Sequence, residues 1–163
     1  MKSVALLRIF LATQHLETLD DAGIILRTYP VSTAKRGAGE KWGSLQTPRG
    51  RHIVRAKIGA GLPINTVFSA RRPTGEIWTP ELDASNPERD WILTRILWLS
   101  GCEPGVNRLG NVDTMRRYIY IHGCSDFAAM NEPHSHGCIR MRNHDVIELF
   151  EATPAFCPVE IVA

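Results

Sequence analysis

The chain is short of most features that assign a protein quickly. Nowhere do about eighteen apolar residues run together, so no segment reads as a membrane-spanning helix. Basic residues come as scattered pairs, Arg71-Arg72 and Arg116-Arg117, and 19 Lys+Arg against 17 Asp+Glu leave a formal charge of +2. Such a balance calls for no nucleic-acid partner. The four cysteines, at 102, 124, 138 and 157, include no C-x-x-C pair, which excludes a zinc ribbon and a thioredoxin-type motif. Four are also too sparse for a disulfide framework. No repeat, low-complexity tract or linker interrupts the 163 residues. At 44% hydrophobic and 22% charged, residues 1–163 read as one ordinary globular domain, long enough to close its own core.

Met1-Lys2-Ser3 followed by Val4-Ala5-Leu6-Leu7 has the opening of a signal peptide. Arg8 breaks that apolar run, however, and no small-x-small cleavage site precedes Gln14-His15. Residues 3–12 are therefore expected to form a buried strand. A hairpin follows, Leu16–Leu19 and Ile24–Val31 about a Gly23-containing loop. Residues 35–46, with Gly37, Gly39 and Gly43, read as a polar surface loop, and Thr47-Pro48-Arg49-Gly50 as a turn into a strand over 51–58. A second turn is expected at Arg72-Pro73-Thr74-Gly75. Two helices are predicted. In the first, Asn86 caps, Pro87 opens, a stripe from Trp91 to Leu99 packs inward, and Gly101 stops. In the second, Asn143 caps, Val146, Ile147, Leu149 and Phe150 face the core, and Pro154 bars continuation. Tyr118–Ile121 and Val159–Val162 complete the strands, giving a mainly β domain with two helices packed on it.

The chemistry concentrates in Ile121-His122-Gly123-Cys124 and Ser135-His136-Gly137-Cys138-Ile139-Arg140-Met141. An imidazole at a strand end with small neighbours suits a general base. Gly137 can take positive φ and let its own N–H and that of Cys138 approach an oxyanion, and a Cys beside a His supplies a nucleophile. A lone Cys is more often a small buried hydrophobe, so this pattern alone leaves the choice open. The same stretch offers His122, Cys124, His134, His136 and Cys138 as zinc ligands, although alternate residues 134, 136 and 138 crowd one metal awkwardly.

His122-Gly123 together with Ser135-His136-Gly137-Cys138-Ile139-Arg140-Met141 resembles the active-site motif of the bacterial L,D-transpeptidases, cysteine enzymes that cross-link peptidoglycan. The opening strand and hairpin, the 47–50 turn and the Asn143 helix fall in that family's order, so the resemblance spans most of the chain. It implies a β-sandwich of mixed sheets with a helix alongside. It implies Cys138 as nucleophile, His122 as its base, the Gly123 carbonyl as the group orienting the imidazole, and the N–H groups of Gly137 and Cys138 as oxyanion hole. Ser135 and His136 shape the loop, and Arg140 meets a substrate carboxylate. Cys124 stands where the family often has Thr or Ser, and Arg140 where its better-known members have Asn.

The implied reaction is acyl transfer from a peptidoglycan stem tetrapeptide. Cys138 forms a thioester and releases D-Ala, and the acyl group passes to an amine (L,D-transpeptidation) or to water (L,D-carboxypeptidation), with no cofactor and no metal. Residues 35–46 and 71–80 are candidate walls of the site. Arg116-Arg117 reads as a solvated edge, and Cys102 and Cys157 as packing residues. Cys124 lies near enough in sequence for a disulfide with Cys138 to be considered. The substrate implies the cell envelope, with the cytoplasm as alternative. A wall-binding module without catalysis and a zinc-dependent hydrolase are the competing functions. The oligomeric state is open.

Overall fold

The computed structural model describes residues 2–163; Met1, at the head of the leader-like stretch, lies outside them. Leu6–Phe10 (β1) alternates as a half-buried strand should, Leu7 and Ile9 facing inward. It pairs antiparallel with His15–Leu19 (β2) and parallel with Pro158–Val162 (β10), so the opening residues are an inner strand, as expected. The Asp20 carboxylate closes the next turn by accepting from the N–H groups of Ala22 (3.0 Å) and Ile24 (2.8 Å). Ile25–Pro30 (β3) completes that hairpin, and Gly50–Ile58 (β4) follows the Gly-rich loop.

Thr66–Ser69 (β5) and Arg72–Ile77 (β6) form a tighter hairpin than expected, its turn at Ala70-Arg71 rather than 72–75. Both turn residues are left-handed (φ 48° and 63°), as a two-residue hairpin loop demands. Arg71 holds this conformation through its side chain: the guanidinium lies over the rings of Tyr118 (4.5 Å) and Trp98 (5.1 Å) and donates to the Tyr120 hydroxyl (3.0 Å).

The predicted first helix is a strand. Ile92–Gly101 (β7) is the longest in the molecule and is buried along nearly its whole length. Leu97 and Leu99 enter the main core, whereas Ile96 joins Phe68 and Tyr120 in a separate cluster, so both faces of β7 are covered. A strand covered on both faces carries an almost unbroken apolar run, and such a run cannot be told from a helical stripe by period. The helix-start grammar sits earlier: Thr79 caps Pro80–Ser85 (α1), accepting from the Leu82 N–H (3.1 Å), and Asn86 ends it.

Tyr120–Gly123 (β8), Ile139–Met141 (β9), Asn143–Ala152 (α2) and β10 finish the chain. The strand order is β3-β2-β1-β10-β4-β7-β5-β6, and β8 leaves this path by pairing with β7 and then with β9. The sheet therefore forks at β7 and is mixed, with parallel pairs at β1/β10 and β8/β9. Both branches and α2 share one core, in which Leu7, Ile9, Leu97, Ile121, Ile139, Met141 and Leu149 are fully buried. The mainly β, two-helix architecture stands, with one helix relocated. β8 begins two residues later than expected because Tyr118 takes a left-handed turn (φ 57°). Asn143 is the first residue of α2 rather than its cap; its side chain turns inward.

Candidate active site

The parallel register of β8 and β9 sets Ile121 beside Ile139, His122 beside Arg140 and Gly123 beside Met141. Alternation then sorts the side chains. Ile121, Ile139 and Met141 enter the core, while Tyr120, His122, Cys138 and Arg140 line a cavity of about 230 Å³ on the opposite face. Residues 124–138 loop out and return between the two strands, which is how two distant pieces of sequence come to share one face.

The turn before β9 is braced from several sides. Gly137 has φ 132°, and a Cβ there would stand 3.1 Å from Ile119 Cδ1 and 3.3 Å from the Gln46 carbonyl oxygen, so the position requires glycine. Thr47 Oγ1 donates to the Gly137 carbonyl (2.9 Å), and Ser135 Oγ donates to the Cys138 carbonyl (2.5 Å). The Gly137 N–H donates to Ser135 Oγ (3.2 Å). That N–H, one of the two expected to form an oxyanion hole, is therefore engaged inside the turn. On the outer edge, Ser32 and Arg140 exchange two backbone hydrogen bonds of 2.9 Å.

His122 is buried, and its Nδ1–H donates to the Gly123 carbonyl (2.6 Å), leaving Nε2 as the basic nitrogen. Burial holds the imidazole below its ordinary pKa, opposed by the nearby Asp90 carboxylate. Burial also pushes the Cys138 thiol up to about 12. Its Sγ accepts from the Tyr120 N–H (3.3 Å) and donates to the Tyr118 carbonyl (3.3 Å). Both shifts favour the neutral forms.

Arg140 already has a partner: its Nη2 donates to Asp90 Oδ1 (2.9 Å), and His136 Nδ1 lies 3.9 Å from Asp90 Oδ2 on the exposed rim. One nitrogen of the guanidinium fork is engaged, so the arrangement offers a mixed-charge wall rather than a bare cation. Asp90 escaped the sequence reading because it sat within the supposed helix. Arg117, expected on a solvated edge, is half-buried and donates to the Gln46 carbonyl (2.6 Å), Ser44 Oγ (3.2 Å) and the Gly39 carbonyl (3.2 Å). It pins the Gly-rich loop beside the site, where Trp42 and Leu45 join His136 around a second hollow of about 190 Å³. Of the 71–80 wall, Arg71 reaches the cavity, while Trp78 is buried in another cluster.

All four cysteines are free. Among the described residues no group of three or more His, Cys, Asp and Glu side chains is gathered to hold a metal, so the five candidate zinc ligands do not converge. His134 instead faces Glu132 (3.0 Å). A larger hollow, about 470 Å³, opens beside Tyr29 and Glu148 and is lined by neither cysteine nor histidine.

Comparison with known families decides what this arrangement belongs to: residues 5–161 match the L,D-transpeptidase catalytic domain, YkuD. The chain belongs to that family. No curated protein matches it. Similar solved structures include an L,D-transpeptidase of Xylanimonas cellulosilytica (20% identity, 99% of this chain and 61% of that one, TM-score 0.59). Another is an L,D-transpeptidase from Mycobacterium smegmatis (18%, 99% and 59%, TM-score 0.58). A third is L,D-transpeptidase 3 from Mycobacterium tuberculosis with a faropenem-derived adduct (16%, 99% and 61%, TM-score 0.59). The chain spans roughly three-fifths of these solved chains, and at such identities the likeness is one of fold. Within this L,D-transpeptidase domain the unusual Cys124 has a local account. It is buried, its thiol donates to the Met141 carbonyl (3.3 Å), and burial pushes its pKa up to about 11, which disfavours the thiolate.

Proposed function

We propose that the domain is a cysteine acyltransferase acting on peptidoglycan stem tetrapeptides, with Cys138 as nucleophile and His122 as base. The observation that carries this reading is the shared cavity: the thiol and an imidazole with its Nδ1–H already tied to a carbonyl line the same 230 Å³ space. His122 Nε2 takes the thiol proton as Sγ attacks the carbonyl of the diamino-acid residue. The Cys138 N–H stabilises the oxyanion, the bond to D-Ala breaks, and the proton passes to the departing amine. A thioester remains. An incoming amine or water then gives up a proton to Nε2, forms the new bond and releases the thiol.

Because the thiol proton points at the Tyr118 carbonyl at rest, the first step begins with its rotation toward the imidazole. Hydrogen bonds of this kind often tighten only when substrate is bound. Arg140, with Asp90 beside it, receives a substrate carboxylate, and Ser135 and His136 hold the turn and the rim. We propose the cell envelope for this work, since such a substrate lies there, with the cytoplasm as the alternative.

Incubation with a purified disaccharide tetrapeptide tests the reading. D-Ala release with a cross-linked dimer is expected; D-Ala with tripeptide alone makes water the acceptor. Retention of substrate without any product, equally in wild type and C138A, would leave a wall-binding module instead.

A further inference from the structure

The base is held from behind by residues with no part in the sequence motif. Cys124, one peptide beyond the carbonyl that orients His122, has its own carbonyl bound by Asn143 Nδ2 (2.9 Å). Asn143 Oδ1 accepts from Thr94 Oγ1 (2.6 Å), and Thr94 Oγ1 in turn accepts from the Asn65 N–H (3.0 Å). Asn143 Nδ2 also reaches Asn65 Oδ1 (3.0 Å). Asn143 and Thr94 are both buried.

Two features set this apart from an ordinary buried hydrogen bond. Thr94 is a β-branched residue with φ 73°, at the break in register where Leu93 pairs with Gly123 and Ile96 with His122. Left-handed backbone at a β-branched residue is costly, and persists only where the surroundings over-determine it. The bulge so formed aims the Thr94 hydroxyl at Asn143. Asn143 in turn fills the space a side chain at position 123 would need: a Cβ on Gly123 would overlap its Oδ1. The Gly123-Cys124 segment is therefore gripped from the side and at its far carbonyl, while its near carbonyl receives the imidazole proton.

Resting on the function proposed above, we infer that Asn143 and Thr94 are positioning residues that fix the tautomer and pose of His122 through the Gly123-Cys124 segment. If that segment slackens, the Gly123 carbonyl drifts from Nδ1, the imidazole populates the Nε2–H form, and Nε2, the nitrogen assigned the thiol proton, is no longer basic. Misplacement on the scale of an ångström costs on the order of 100-fold in rate.

The test combines two readouts on folded N143A, T94V and T94S. Nitrogen-15 NMR of His122 reports the tautomer and needs no substrate; the rate of carbapenem acylation at Cys138 reports the chemistry. N143A and T94V are expected to lose the pure Nδ1–H signature and to acylate about 10- to 100-fold more slowly, while T94S, keeping the hydroxyl, stays near wild type. An unchanged tautomer in N143A or T94V overturns the inference whatever the rate does, as does T94S behaving like T94V. Should N143A fail to fold, T94V against T94S decides, since Asn143 then stays in place. Absence of acylation in the wild type would instead defeat the proposed function, leaving the tautomer comparison to judge the positioning role by itself.

Discussion

A partly buried thiol pushed up to about 12 and a buried imidazole held below its ordinary value both favour their neutral forms over a stored thiolate–imidazolium. In the proposed reaction the thiolate then appears only as the proton leaves for Nε2. Because the folded imidazole's pKa is depressed, it stays unprotonated as pH falls through 6.5, and Cys138 acylation should hold its rate there and decline only in more acid solution. A fall centred at or above pH 6.5 would contradict this. H122A should lower acylation by about 10²- to 10⁴-fold, the usual worth of a general base. C124S should change it less than about twofold, since that thiol neither reaches the cavity nor ionises readily. His122, Gly137 and Cys138 were legible in the sequence because they stand in two short local patterns, an imidazole before a glycine and a glycine before a thiol. Asp90, Thr94 and the inward role of Asn143 were not. Arg140 and Asp90 are 50 residues apart, and Asn143 and Thr94 are 49 apart, so only sheet pairing brings them together.

Among the elements, β7 was read as a helix for the reason that makes it central: with β4, β5 and β8 as neighbours it has almost no exposed positions, and so no alternation to betray it. β1, β10 and the 15–30 hairpin were legible because each shows its polar side to water or carries turn chemistry. The Gly-rich loop was read correctly as surface, but what holds it was missed, since a paired Arg looks solvated until its acceptors are located. R117M should release residues 39–46, with three acceptors losing their donor at a cost of about 1–3 kcal/mol. Limited trypsin digestion reads this as faster cleavage at Lys41; an unchanged cleavage rate would show that the loop holds itself.

The whole molecule carries an acid-sensitive support away from the site. His52 is buried between the Gly50 carbonyl (3.0 Å) and Thr114 Oγ1 (2.9 Å), and burial lowers its pKa to about 4. Between that value and 6.5 the unfolded chain binds the proton that the folded one refuses. Stability is therefore full above about pH 6.5 and is lost progressively toward pH 4, by on the order of 3 kcal/mol from this group. Urea midpoints at pH 7 and pH 4 should differ accordingly, and H52Q, if folded, should narrow the gap; an equal gap in H52Q would assign the acid loss elsewhere. The most direct test of the central claim weighs the intact molecule. After brief exposure to a carbapenem, a single adduct is expected, mapped to the peptide bearing Cys138, absent in C138A and strongly slowed in H122A. An adduct that persists in C138A, or forms at the wild-type rate in H122A, would contradict the account.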